Sequence, residues 1–293
     1  KWRGQIKADN TLRDATSGSR TNPSRLPRGV IIHNQGTITT QSLGNLEVDN
    51  YYTQLYNPNQ LTAEDYQIWK HSVELKLENQ ILHDVDLHIP MHMITDAIGG
   101  IENGKATGVD NVPGEVFKHL TWTTLVHLRH LFELRINNKH GGNVDDDYWN
   151  KVLVHCIPKT AKPTSIAHWR PISLISSLQK LFAACLAKSL NEHVAVPENV
   201  AGFRIGRQAM EITCNIRIGL QKAQAWDSCL YIAKLDVRKA FDSVQHDRLH
   251  DACLKLGMPA ALNLSVMREL WDCTCDIELN GFSSLEPICL RSG

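Results

Sequence analysis

Apolar residues recur at three- and four-residue steps through much of the chain, the spacing that puts them on one face of a helix. Leu46, Val48, Tyr51, Tyr52, Leu55 and Tyr56 predict a helix over 46–57, stopped at Asn57-Pro58. A weaker pattern covers 67–82. Ile94, Ala97, Ile98 and Ile101 form one stripe in 91–102. After a loop with two glycines, Pro113 can open a helix over 115–136 that carries Val116, Phe117, Leu120, Leu125, Leu128, Leu131 and Leu134. Leu174, Leu178, Leu181, Phe182, Cys185, Leu186 and Leu190 predict the next helix, and another is expected over 211–225. A last one spans 242–256, with Asp242 and Gln245 spaced as in a capping box. Elsewhere the pattern turns to short apolar runs. Residues 152–157 read as a buried strand ended by Pro158, and 230–235 as a strand ending on Asp236. A strand over 277–279, the Asn280-Gly281 hairpin signal and a returning strand over 288–290 close the chain.

Between these segments lie loops. Residues 1–45, rich in Gly, Ser, Thr, Asn and Arg, read as a linker or loosely ordered lead-in. Residues 159–170 are a turn region, and 201–207 a Gly/Arg loop. The acids Asp145, Asp146 and Asp147 sit in a polar loop and read as solvated rather than metal-binding.

Composition narrows the classes. Of the 293 residues 42% are hydrophobic, enough for a core. No run of about eighteen apolar residues is present, so no membrane span is expected. The basic start (Lys1, Arg3, Lys7, Arg13) lacks the apolar stretch of a signal peptide. The eight cysteines form no Cys-x-x-Cys pair and mostly fall in apolar stretches, which points to reduced thiols and an intracellular chain, cytoplasmic or nuclear. Pro90 separates His88 from His92, and His127 and His130 read as helix-surface residues, so zinc is not expected. The formal net charge is zero, which is unusual for a nucleic-acid enzyme. The charge is uneven, however. Lys151, Lys159, Lys162, Arg170, Lys180, Lys188, Arg204 and Arg207 face only Glu192 and Glu198 in the stretch 151–210. That excess suits a phosphate-facing patch, or else a solvated surface balanced elsewhere.

Asp236 is the first candidate for chemistry. A carboxylate held at the end of a buried strand can carry Mg²⁺, which takes one or two carboxylates and completes its shell with water or phosphate oxygens. A strand-end Asp can equally cap the next helix.

The surrounding residues, Leu235-Asp236-Val237-Arg238-Lys239-Ala240-Phe241-Asp242, resemble the first palm motif of reverse transcriptases of the non-LTR retrotransposon (LINE) type. Four further segments match in order. Asn103-Gly104-Lys105-Ala106-Thr107-Gly108-Val109-Asp110 resembles the family's GKAPGPDGI segment, with Thr107, Val109 and Asn111 in place of Pro, Pro and Gly. Cys156-Ile157-Pro158-Lys159 with Trp169-Arg170-Pro171-Ile172-Ser173-Leu174 resembles IPK…YRPISL. Gly202-Phe203-Arg204-Ile205-Gly206-Arg207 resembles GFRPGR, with Ile205 where Pro is usual. The Asn280-Gly281 turn and the run from Pro287 to Gly293 resemble the approach to GxRQG, Gly293 being its first glycine.

The resemblance implies roles. Asp236 would be a catalytic carboxylate, holding Mg²⁺ together with the carbonyl of Val237. Phe241 would bar a ribose 2′-hydroxyl, although a core aromatic is the plain alternative. Lys159 and Arg170 would grip the nucleotide triphosphate, although Lys159 also reads as a solvated turn lysine. Gly202, Phe203, Arg204 and Arg207 would approach the template strand. The partners would be an RNA template, a DNA primer and deoxynucleoside triphosphates, with no membrane. The implied fold class is α+β: right-hand polymerase fingers and a partial palm with a helical N-terminal extension. The expected division is extension 1–90, fingers with the first palm strand 91–235, and partial palm 236–293.

The family's aromatic-x-Asp-Asp motif does not follow Asp236; Asp272 and Asp276 precede the Asn-Gly turn, in the wrong order. The chain is therefore expected to be a fragment that stops before its palm is complete, to be inactive alone, and to leave an open sheet edge. The alternative is a nucleic-acid-binding remnant without catalysis.

Overall fold

A computed structural model of the chain describes residues 29, 31–33, 36–38, 41–57, 62–81, 86–137, 149–161, 163–204, 206–237 and 239–292. Most of the lead-in, the three acids Asp145–Asp147, and Lys162, Ile205, Arg238 and Gly293 lie outside these. The described residues mix helix and sheet, in agreement with α+β. No helix among them is long and apolar enough to cross a membrane. The chain divides into two compact units.

The first unit takes in the described residues up to Tyr51, with Val154–Ser173 and Asp276–Pro287. Part of the expected linker is ordered here. β1 (Ile31–His33) pairs antiparallel with β2 (Gly36–Ile38), matching Ile31 to Ile38. α1 (Gln41–Tyr56) starts five residues before the predicted helix. β3 (Lys151–Pro158), β4 (Trp169–Leu174), β5 (Thr274–Leu279) and β6 (Phe282–Ser283) follow, in the sheet order β4-β3-β5-β6. β4 falls where the apolar pattern by itself predicts a turn and the start of a helix. β5 buries Cys275, Ile277 and Leu279, the period-two pattern of a strand with one face on the core.

Asn280 and Gly281 both take positive φ, 51° and 93°, as a two-residue hairpin turn requires. The strand returning from that turn is β6, with Leu279 opposite Phe282. This corrects the expectation that 288–290 is the returning strand. α1 is fastened to the hairpin by side chains. Ser283 N–H donates to Asn45 Oδ1 at 3.1 Å, and Gln41 Nε2 to the Gly281 carbonyl at 3.1 Å. Gly44 lies so close to Phe282 that any Cβ there would overlap the ring.

The second unit takes in Tyr52–Leu153, Leu174–Cys275 and Ile288–Gly293. Its helices are α2 (Ala63–Ile81), α3 (Met91–Gly99), α4 (Trp122–Ile136), α5 (Ser177–His193), α6 (Ala209–Ala225), α7 (His246–Lys255) and α8 (Ala260–Arg268). The single helix predicted over 115–136 is broken into a 3-10 turn, Gly114–His119, and α4. Leu120 is extended, and the Thr121 hydroxyl accepts from Thr124 N–H, capping a new start. One core joins Ile94 and Ile98 of α3, Phe132 and Ile136 of α4, Leu181, Phe182 and Cys185 of α5, and Leu262 of α8. A second packs Tyr66, Val73 and Leu77 of α2 on Leu264, Met267 and Trp271. β7 (Ile288–Cys289) pairs antiparallel with the opening residues of β5, Thr274 opposite Cys289.

Two other expectations are corrected in this unit. Residues 230–235 form no strand. Leu230, Tyr231, Ile232 and Leu235 are 45–91% exposed, and none of the described residues supplies a ladder partner. A strand exists only through such pairing, whatever its composition. The last predicted helix begins at His246, with Gln245 rather than Asp242 at its N-cap. Gln245 is extended because it forms a β-bridge with Ser292, so the helix can only start after it.

Candidate functional site

Asp236 and Val237 lie in the exposed, irregular segment that leads into a turn at 239–243. Asp236 therefore does not sit at the end of a buried strand. The turn itself is well tied. Lys239 has φ 52°, Ser243 N–H donates to the Lys239 carbonyl at 3.0 Å, and Val244 N–H to that of Phe241 at 3.2 Å. The buried Ser292 hydroxyl is within hydrogen-bond distance of two carbonyls, Asp242 at 3.1 Å and Tyr56 at 3.2 Å. Arg291 N–H also donates to the Tyr56 carbonyl. The end of α1 and the residues after β7 thus fix the position of the turn. Ser292 carried no functional signal in the sequence.

The loop that holds Gly202, Phe203, Arg204 and Arg207 is in the same unit. Phe203 and Gly206 have φ of 57° and 79°, so the chain doubles back twice within it. Arg204 Nη1 donates to the carbonyls of Pro197 and Val200, at 3.1 and 3.4 Å. Arg207 Nη1 donates to Glu211 Oε2 at 2.9 Å, and Gln208 N–H donates to Glu211 Oε1 at 3.1 Å. The Arg207 hydrogen bond holds the Glu211 carboxyl below its ordinary range, and Glu211 raises Arg207 in return. Both arginines are thus partly engaged within the loop, each keeping further N–H donors for an outside acceptor. The loop meets the turn through two aromatic rings. Phe203 and Phe241 lie 5.8 Å apart between centroids, inclined at 79°. Phe241 is 70% exposed, which sets aside its reading as a core aromatic.

Lys159 and Arg170 belong to the first unit, on the β3–β4 hairpin. Lys159 N–H donates to the His168 carbonyl at 2.8 Å, and its Nζ donates to the Ala167 carbonyl at 2.8 Å. Lys159 is thus not simply a solvated turn lysine: its ammonium also closes the hairpin loop. Trp169 is buried and Arg170 exposed, the alternation of β4 turning the guanidinium outward.

The remaining matched segment, 103–113, packs on the start of α5. The Ser177 hydroxyl donates to the Val112 carbonyl at 2.8 Å, and Gly108 is so close to the Ile175 carbonyl that a Cβ would overlap it. Lys180 reaches toward the Ala106 carbonyl at 3.4 Å, and burial lowers the pKa of its ammonium. Among the described residues no three His, Cys, Asp or Glu side chains gather as a metal site.

Residues 157–282 match the family model described as reverse transcriptase (RNA-dependent DNA polymerase). That segment is similar to reverse transcriptases, and the chain resembles proteins of retrotransposable elements. It is 31% identical over 147 residues to a retrovirus-related Pol polyprotein from the type-1 retrotransposable element R2 of Popillia japonica, covering 50% of this chain and 20% of that protein. It is 28% identical over 243 residues to a probable RNA-directed DNA polymerase from transposon BS of Drosophila melanogaster, covering 80% of this chain and 25% of that protein. The RNA-directed DNA polymerase from mobile element jockey of Drosophila melanogaster is 30% identical over 146 residues, which are 48% of this chain and 16% of that protein. The chain thus spans a quarter or less of the length of these relatives.

Proposed function

We propose that this chain supplies the nucleotide- and template-facing part of an RNA-directed DNA polymerase of a retroelement. The observation that carries the reading is the meeting of the Gly202–Arg207 loop with the Asp236–Asp242 turn, inside the segment matched to reverse transcriptases. Sequence positions with separate expected roles, template and nucleotide, are neighbours in one unit.

In this reading Asp236 and the Val237 carbonyl are hard oxygen donors on an exposed segment, a donor type suited to Mg²⁺. One carboxylate and one carbonyl make part of such a shell, with water and phosphate oxygens to fill it. When bound, the ion supplies positive charge to the reacting phosphate oxygens. Phe241 excludes a 2′-hydroxyl by its volume. Lys159 and Arg170 bind the triphosphate of a deoxynucleoside triphosphate, Arg170 with the two-pronged donor geometry that phosphate accepts. Gly202 lets the backbone approach the RNA template, Phe203 flanks it, and Arg204 and Arg207 supply charge to it. A DNA primer provides the attacking 3′-hydroxyl. The proposed division remains extension 1–90, fingers 91–235 and partial palm 236–293, of the right-hand polymerase type.

A second reading is favoured by the irregular, exposed setting of Asp236, which nothing in a strand ladder holds rigid: binding of nucleic acid without catalysis. Primer extension separates the two. The longest polypeptide that this reading frame encodes, given RNA template, DNA primer, Mg²⁺ and deoxynucleotides, is expected to extend the primer, and Asp236→Ala to abolish extension. RNA binding that is weakened by salt, indifferent to Mg²⁺ and accompanied by no extension would leave only the second reading.

A further inference from the structure

Phe203 combines three properties that are rarely found together. It is 94% exposed, it is a bulky residue held at φ 57°, and its ring makes an edge-to-face contact with Phe241. An exposed phenyl gains nothing from burial, and the left-handed backbone costs energy because Cβ crowds the following carbonyl oxygen. Glycine would fill such a position without that cost, as Gly206 does three residues on. Among the described residues, the ring that Phe203 meets in a defined geometry is Phe241.

Phe241 needs such a neighbour. It is 70% exposed on a turn of five residues, so its ring has little core around it to choose one rotamer. A volume filter works only if the blocking ring stays in one place. Aromatic rings in edge-to-face contact prefer defined mutual orientations, which makes a second ring an effective stop.

We infer that Phe203 is a positioning residue for sugar selection: its ring fixes the rotamer of Phe241, and so sets how strongly a ribonucleotide is rejected. The inference rests on the proposed role of Phe241. It assigns Phe203, otherwise a template-flanking residue, a part in choosing between deoxyribose and ribose.

The test has two arms. In the first, the chain is labelled with 4-fluorophenylalanine and the Phe241 fluorine resonance is identified by its loss in Phe241→Leu. Phe203→Ala is expected to shift that resonance toward the position of a freely rotating ring, and Phe203→Tyr to leave it in place. A Phe241 resonance unmoved by Phe203→Ala overturns the inference. In the second arm, the longest polypeptide of the reading frame is assayed for its ratio of kcat/KM with deoxynucleotides to that with ribonucleotides. Phe203→Ala is expected to lower the ratio about tenfold, the scale of losing one well-packed group. Phe203→Tyr should restore it. A ratio lowered by Phe241→Ala but unchanged by Phe203→Ala overturns the inference alone. A ratio unchanged by Phe241→Ala, or no extension by the wild-type polypeptide, overturns the proposed function and the inference with it.

Discussion

Arg135 on α4 and Glu269 just after α8 form an ion pair of 2.8 Å whose side chains are only 12% and 13% exposed. The guanidinium also lies 4.1 Å from the centre of the Trp149 ring, and Trp149 Nε1 donates to the other Glu269 oxygen at 2.8 Å. Three side chains from separate segments thus satisfy one another where water is scarce. Removing one member of such a pair leaves a buried charge without its partner, which costs about 3–5 kcal/mol. Arg135→Ala and Glu269→Ala are each expected to lower the unfolding free energy obtained from urea titration by that order. The double variant should lose clearly less than the sum of the two. Additive losses would show that the pair is not coupled.

Gly108 predicts a different kind of failure. Its missing side chain is required because the Ile175 and Ser176 backbone occupies the space where a Cβ would go. Backbone cannot rotate aside as a side chain can. Gly108→Ala should therefore destabilise the second unit by about 2 kcal/mol, within the usual cost of overpacking. Gly104→Ala, in open space, should lose only the smaller cost of its positive φ. Thermal unfolding of the two variants side by side gives the comparison; equal losses would contradict it.

The Arg207–Glu211 pair bears on the proposed contact with RNA. Glu211 occupies donors that Arg207 would otherwise offer to phosphate. Glu211→Gln should strengthen binding of single-stranded RNA. It should also steepen the dependence of log K on log salt by roughly 0.7 for one added phosphate contact. Filter binding across a salt series reads both. An unchanged slope would mean that Arg207 does not reach the strand.

Buried thiols predict a loss of stability in alkali. Burial, helped by the negative charge of Glu269 and Asp272, pushes Cys273 from an ordinary 9.0 up to about 12. Burial also pushes Cys185 up to about 11. Both groups keep their proton in the folded chain at pH values where the unfolded chain has lost it. Their contribution is fully present below pH 9 and is lost as pH rises through 11 and 12. The urea midpoint should hold to about pH 9 and then fall, and Cys273→Ala should reduce the fall. Native thiol titration near pH 8 should reach Cys214, Cys229 and Cys289 before the buried five.

The sequence was most informative where a local pattern decides the structure. β3 could be read from its short apolar run at 152–157, although only alternate residues, Val152, Val154 and Cys156, are fully buried, and α5 from its stripe of Leu181, Cys185 and Leu186, because burial on one face imprints a period. α8 was missed for the opposite reason. Residues 260–265 are all buried, so no polar face alternates with an apolar one. The run 230–235 misled because an apolar segment names a strand, but only a partner makes one. Of the candidate site, the residues themselves were legible through their motifs. The contact of Phe203 with Phe241 was not, since no periodicity links them, nor was the Ser292 hydroxyl that seats the turn.

That hydroxyl has a consequence for the order in which the protein is made. Ser292 joins Asp242 to Tyr56, a residue 236 positions earlier. At about 5–20 residues per second, the ribosome needs tens of seconds to travel from one to the other. For the last part of that interval, the 50 positions from Asp242 to Ser292, the turn exists without its link to the end of α1. Synthesis therefore seats the turn late, only after Ser292 has been added.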